Sequence, residues 1–213
     1  LTAVAITDHD TGESAAFCRQ HTSAELTLIP GVEISTLDTA RGRRVHLLYY
    51  YPSFKGEHFA FFEKMAQRRN EAASIIEEKL QKLYPAYDPA LTRTYQAPGS
   101  AVFKAHIGWQ LVQLGYTGGL YNAFYHSLFG KGGPCTSPVP YMDVWDALAL
   151  FKSCGGAVVL AHPSVYQSMD LAKELGQKGL LDGIEVEHPH NLPKDKLLLK
   201  ALAEKNGLIV TGG

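Results

Sequence analysis

Cysteine is scarce and poorly placed for covalent or thiolate chemistry. Cys18, Cys135 and Cys154 are odd in number, far apart and outside any C-x-x-C spacing, which disfavours both a disulfide framework and a thiolate zinc site. Charge of one sign is also lacking. Twenty Lys and Arg stand against 21 Asp and Glu, a formal net charge of -1, so no global field draws the chain to nucleic acid or an anionic membrane, and only a local basic pocket stays compatible with the composition. No uninterrupted apolar run has the length of about 18 residues that a membrane span needs. No basic n-region opens the sequence, and no internal repeat or low-complexity tract interrupts it. A reduced, cytoplasmic protein is expected, with no membrane attachment and no stable protein partner.

Hydrophobic residues make up 46% of 213 positions, enough for one core, or a core with a subdomain. Short β-branched runs at 3–7, 26–35, 44–51, 157–161, 183–186 and 208–211 are bounded by Gly, Pro or charge and read as strands. Between them the spacing predicts helices over 11–20, 57–83, 101–114, 141–153, 169–177 and 194–205. Strand and helix in alternation predict an α/β fold with parallel strands. The alternation stops between residues 65 and 141, where helical patterns and the Gly/Pro-rich stretches "YQAPGS" and "FGKGGPCTSP" predict a helical insertion on a body formed by 1–64 and 142–213.

In such folds, sites form at the carboxyl ends of parallel strands. Asp8 and His9 follow the first run, Glu33 sits near the end of the second, His46 lies in the third, and His162 ends "AVVLAHP". Glu185, Glu187, His188 and His190 close "GIEVEHPH". Each has an ordinary reading. Asp10 and Glu13 fit a capping box for the next helix, a lone strand His such as His46 is commonly a satisfied core residue, and His162 before Pro163 could simply begin a turn. The same chemistry recurring at the same topological place instead favours a metal site. Imidazole and carboxylate without thiolate suit Zn, Mn, Fe or Mg, with room for more than one ion.

The ordered set "AITDHDT", "LIPGVEIS", "RVHLLYY", "GGAVVLAHP" and "LDGIEVEHPHN…LIVTGG" resembles the PHP (polymerase and histidinol phosphatase) family. The similarity runs along nearly the whole chain, toward the bacterial metal-dependent phosphoesterases that act on nucleotides. That resemblance implies a distorted (β/α)7 TIM-like barrel with a helical insertion and a site for two or three divalent ions. It implies His9 as ligand of one ion, Glu33 as a bridge between two, His46 and His162 as ligands of that pair, and Asp8 as a group orienting the loop or a neighbouring ligand. The family's H-x-H motif would precede Leu1 and its S-D-x-H motif would follow Gly213, so a chain trimmed at both ends is expected.

The activity so implied is metal-dependent hydrolysis of nucleotide phosphomonoesters, such as a nucleoside 3',5'-bisphosphate, AMP or short RNA, through metal-activated hydroxide, with catalysis carried through the metal by His9, Glu33 and His162. The alternatives are a histidinol-phosphate-type or general phosphatase and, in another class, an inactive binding or scaffold domain. In this branch the insertion carries basic residues that face phosphate, which implies that role for Arg69, Lys104, His106 and Lys131; otherwise these are solvated surface charges. Trp109, Tyr116, Tyr121, Phe124 and Tyr125 are predicted as core by their helical spacing, with base stacking as the alternative.

Overall fold

The computed structural model describes residues 2–52, 56–96 and 100–213. In chain order the elements are β1 (Ala3–Ile6), α1 (Ser14–His21), β2 (Thr27–Asp38), β3 (Arg43–Tyr50), α2 (Glu57–Leu83), α3 (Pro89–Arg93), α4 (Lys104–Gln113), α5 (Ala123–Phe129), β4 (Met142–Asp143), α6 (Val144–Lys152), β5 (Ala157–Leu160), α7 (Met169–Gln177), β6 (Gly183–Glu187), α8 (Pro193–Asn206) and β7 (Ile209–Gly212). The chain divides into two compact units, Leu1–Phe62 with Tyr141–Gly213, and Glu63–Pro140. The division falls inside α2. No helix among the described residues is long and apolar enough to cross a membrane.

The first unit is a mixed α/β body. Its seven-stranded sheet runs β1-β2-β3-β5-β6-β7, with β4 paired to β2. Helices α1, α7 and α8 make right-sized crossovers between the parallel pairs β1–β2, β5–β6 and β6–β7. The expectation of parallel strands throughout fails at β3, which is antiparallel to both β2 and β5. The cause is local: only residues 39–42 separate β2 from β3, and a connection that short can close a hairpin but cannot cross over to a parallel neighbour. The sheet curls enough that β1 and β7 line the same pocket.

Burial explains where the helices lie. On α6, Val144, Ala147, Leu148 and Phe151 are buried, the i, i+3, i+4, i+7 stripe of a one-sided helix. Phe151 is fully buried, and its ring centroid is 5.0 Å from Tyr49, 5.3 Å from His58, 5.2 Å from Phe61 and 6.1 Å from Phe62. On α8, Pro193 fits the first turn, where a missing N–H costs nothing. Gly207 ends the helix at φ 65°, while the Leu208 N–H reaches back to Ala203 O at 2.9 Å.

The stretch 141–153, expected as one helix, divides into β4 and α6 at Asp143. The Asp143 carboxylate accepts the Trp145 N–H at 2.9 Å and the Thr39 N–H at 3.2 Å, and it also takes the Thr39 hydroxyl. Partial burial pulls its pKa up, but those donors outweigh it and hold the carboxyl below its usual value. A folded-state pKa depressed in this way gives stability that is present above the unfolded pKa and lost as pH falls through the folded one. Asp143→Ala should therefore cost about 1 kcal/mol at neutral pH, measured by urea denaturation. The gap between wild type and variant should shrink as pH drops below about 4; a gap independent of pH would reject the charged cap.

The second unit is helical, and no strand occurs among its described residues. Its core joins Ala73, Ile76 and Leu80 of α2 to Tyr87, Val102, Ile107, Leu111, Leu128, Phe129 and Cys135. Two helices unread in the sequence, α3 and α5, are short and start on side-chain caps. Asp88 accepts from Ala90 N at 2.9 Å, with Pro89 in the first turn, and Asn122 accepts from Tyr125 N at 3.0 Å. Inside the unit the buried Glu77 carboxylate takes both terminal nitrogens of Arg93, at 2.5 and 2.6 Å, and the Tyr87 hydroxyl at 2.9 Å. Burial first, and the Glu77 charge with it, raise the Tyr87 phenol above its ordinary range.

Candidate metal centre

The site is built around Glu33. Residues i and i+2 of a strand share a face, and so do directly opposed residues of neighbouring strands. Register pairs Ser35 with His46 and Glu33 with Leu48, so Glu33 and His46 are diagonal neighbours on one face. The His46 Nδ1–H donates to Glu33 Oε1 at 2.6 Å. Tyr166 packs edge-on against the His46 ring at 4.8 Å and fixes its plane.

His162 arrives by a different route. Leu48, Val159 and Ala161 cluster together on one sheet face, so strict alternation would send the next side chain, His162, to the opposite face. The backbone at His162 instead turns through φ 25°, a conformation that a non-glycine residue adopts only when its surroundings hold it. Its Nε2 then lies 2.9 Å from Glu33 Oε1. The holding group is Glu185, buried on β6, whose Oε2 accepts the His162 backbone N–H at 2.8 Å. Ser164 adds a second tie: its N–H donates to Asn191 Oδ1 at 3.2 Å and its hydroxyl to Asp195 at 2.8 Å.

His9 is placed by the loop after β1, which adds one parallel bridge to β2 at Glu33. The Glu33 N–H donates to Asp8 O at 3.2 Å, and the Asp10 N–H donates to Glu33 O at 3.0 Å. His9 Nε2 is 3.7 Å from Glu33 Oε2. The capping box expected at Asp10 and Glu13 does not form. Helix α1 starts at Ser14 without a side-chain cap. Asp10, at φ 52°, is buried and accepts the Ser35 N–H at 2.7 Å. The side chain of Asp8 is exposed, so Asp10 is the acid that ties this loop to β2. Removing it leaves the buried Ser35 N–H without that acceptor. Asp10→Ala should cost ~1–3 kcal/mol of stability, read as a lowered urea midpoint; a midpoint at the wild-type value would show that the tie carries no load.

The electrostatics favour an ionised carboxylate among imidazoles. Burial raises the Glu33 pKa, but hydrogen bonds from His162 and His46 and the charges of His9 and His46 together drive it far below the usual carboxylate range. Burial lowers His46 toward its neutral form, while Glu33 hydrogen bonding overcomes burial and raises His162. Glu185 is raised by burial, and His188 is lowered by burial and by His162 and His190. One ligand atom each from His9, Glu33 and His46 lie within 4.8 Å of one another. The buried His162 Nδ1 has no hydrogen-bond partner among the described residues, and Nε2 is the ring nitrogen turned to the cluster. Three imidazoles converging on one carboxylate are the donor set of a borderline divalent ion. The cluster opens on a pocket of about 470 Å3 lined by Glu33, His162, Glu185, His188 and residues of β1 and β7.

The residues expected to meet phosphate all lie in the helical unit. The Arg69 guanidinium sits 4.7 Å over the Phe103 ring, and the Lys104 amine donates to Phe129 O at 3.0 Å. His106 Nδ1 accepts the Phe103 N–H at 3.2 Å, and burial lowers its pKa. Those three gather at the start of α4. Lys131 is exposed and has no partner among the described residues. Of the aromatic residues expected in the core, Phe124 and Tyr125 pack on it, whereas Trp109, Tyr116 and Tyr121 are exposed.

The fold and donor set thus define an α/β protein equipped to hold a divalent ion where the middles of β2 and β3 meet the turns after β1 and β5. No family model matches the chain. It is 31% identical, over 99% of its length and 80% of the relative's, to the phosphoribosyl 1,2-cyclic phosphate 1,2-diphosphodiesterase of Eggerthella lenta. It is also 31% identical to the 5'-3' exoribonuclease Rnm of Escherichia coli, over 99% of this chain and 73% of that one. Among solved structures, an inferred metal-dependent phosphoesterase from Bifidobacterium adolescentis superposes over the whole chain and 76% of its own, with a TM-score of 0.84 and 27% identity. An amidohydrolase from Chromobacterium violaceum shares the fold, with a TM-score of 0.79 at 22% identity. The chain belongs to the family of hydrolytic phosphoesterases that contains the Eggerthella lenta and Escherichia coli relatives.

Proposed function

We propose that this protein is a PHP-family metal-dependent phosphoesterase acting on nucleotide-type phosphate esters, and that its curled sheet is the family's distorted (β/α)7 barrel. The observation that carries the reading is Glu33, an ionised carboxylate shared between His46 and His162 with His9 on its other oxygen. His9, Glu33, His46 and His162 would hold two or three divalent ions of the Mn, Zn, Fe or Mg type, with Glu33 the shared ligand. Ions held there supply positive charge against phosphoryl oxygens and ease the ionisation of water near neutral pH.

The protein's own part is positional, since phosphoryl transfer needs little covalent help. Glu33 stays ionised and gathers the three imidazoles. Glu185 and Asn191 keep the His162 loop turned into the pocket, and Asp10 holds the His9 loop on β2. Arg69, Lys104, His106 and Lys131 are assigned to substrate phosphate on the strength of the family resemblance and their common unit, the first two and Lys131 as cations and His106 as a hydrogen-bonding ring. The relatives' names describe a cyclic-phosphate diphosphodiesterase and a 5'-3' exoribonuclease, which widens the substrate reading from monoesters to diesters of nucleotides and short RNA.

The test is one Mn-loaded preparation offered nucleoside 3',5'-bisphosphate, AMP, a short 5'-phosphorylated RNA, a ribose cyclic phosphate and histidinol phosphate. Turnover concentrated in the nucleotide-type esters is expected. Preference for histidinol phosphate would favour that phosphatase class, and no turnover of any ester by fully metallated protein would favour a scaffold.

A further inference from the structure

Beyond the four residues assigned to metal, a further imidazole lines the same pocket. His188 follows β6, borders the space beside Glu33, His162 and Glu185, and its ring centroid is 5.0 Å from that of His162. Its proximity invites the reading that it is one more metal ligand. Its hydrogen bonding contradicts that. The backbone N–H of His190 points at His188 Nδ1 at 3.2 Å. A backbone N–H can only donate, so Nδ1 must present its lone pair. A neutral imidazole has one acceptor nitrogen and one N–H, which puts the hydrogen on Nε2. That nitrogen then has no lone pair to give a cation, and it is the ring's remaining donor.

We propose that His188 is a substrate-binding residue whose Nε2–H donates to a phosphate oxygen in the pocket, and that it is not a metal ligand. The assignment deepens the phosphoesterase reading and rests on it for the identity of the anion. The chemistry suits the position. Glu33 and Glu185 both line this pocket, and an anion entering it needs neutral or cationic donors to offset them. Tautomer control by a backbone group is the usual means of fixing which imidazole nitrogen faces a ligand.

The experiment compares wild type, His188→Phe and His188→Gln as full chains. The phenyl ring keeps the packing against His162 and lacks the donor, whereas the Gln amide restores one. Inorganic phosphate, titrated calorimetrically into the Mn-loaded proteins, should bind His188→Phe about 10- to 100-fold more weakly, the range for a hydrogen bond to a charged group, with part of the affinity regained in His188→Gln. Metal content after dialysis should be the same in all three. In the neutral ring, 15N chemical shifts should show the hydrogen on Nε2. Metal lost from His188→Phe, unchanged phosphate affinity, or an Nδ1–H tautomer would each overturn the assignment. None of these readouts needs turnover. If wild type bound phosphate through His188 yet hydrolysed no ester, the phosphoesterase reading would fail and this one would stand.

Discussion

Glu33→Gln should strip the protein of both metal and activity. The substitution changes shape little, but it removes the negative charge that His46 and His162 meet on one oxygen at 2.6 and 2.9 Å, and it puts an NH2, which can only donate, where Oε2 faces His9 Nε2 at 3.7 Å. Losing outer partners of metal ligands already costs 10–100-fold in affinity or rate, so loss of the shared ligand itself should cost at least about 100-fold. Elemental analysis after dialysis against trace Mn gives the first readout and the substrate panel gives the second. Glu33 is only partly buried and lines the pocket, so the urea midpoint should move much less than the metal content. Wild-type metal occupancy in a folded Glu33→Gln protein would remove Glu33 from the centre and with it the proposed ligand set.

The largest effect on stability is expected from Phe151→Ala. Phe151 is fully buried, and four rings, Tyr49, His58, Phe61 and Phe62, lie within 6.1 Å of its centroid. Truncation removes the transfer free energy of the side chain and leaves a hole that rigid aromatic neighbours cannot close. A loss of ~3–5 kcal/mol follows, a large share of the stability of a domain this size. Equilibrium urea denaturation measures it. A loss below about 1 kcal/mol would mean that the cluster repacks, and that α6 is held by Val144, Ala147 and Leu148 instead.

The contrast between these two residues shows what a linear sequence encodes. Phe151 is legible from spacing, because a buried stripe at i, i+3, i+4 and i+7 repeats with the helix period. Local chemistry likewise fixes the boundaries of α2 and α7 and the absence of described strands between residues 65 and 141. Glu33 and His46 are legible as candidates because carboxylate and imidazole recur on successive strand-like runs of the sequence. What periodicity misses is set by partners distant in sequence. Asp10 reads as a helix cap, since an acid three residues before Glu13 is a strong local signal, yet its carboxylate goes to Ser35, a choice made by the parallel bridge between the His9 loop and β2. Helices α3 and α5, at 5 and 7 residues, are too short to complete an amphipathic repeat.

Sequence alone, then, determined the kinds of donor this protein has and the strands they follow, because residue identity and local period are one-dimensional facts. Tertiary structure decided their arrangement. The short link after β2 made β3 antiparallel, and register then set His46 diagonal to Glu33. Glu185, 23 residues from His162, receives its backbone N–H and helps hold a left-handed turn that alternation would not allow. A metal centre depends on distances of a few ångströms between groups more than a hundred residues apart, and those distances exist only after the sheet has curled.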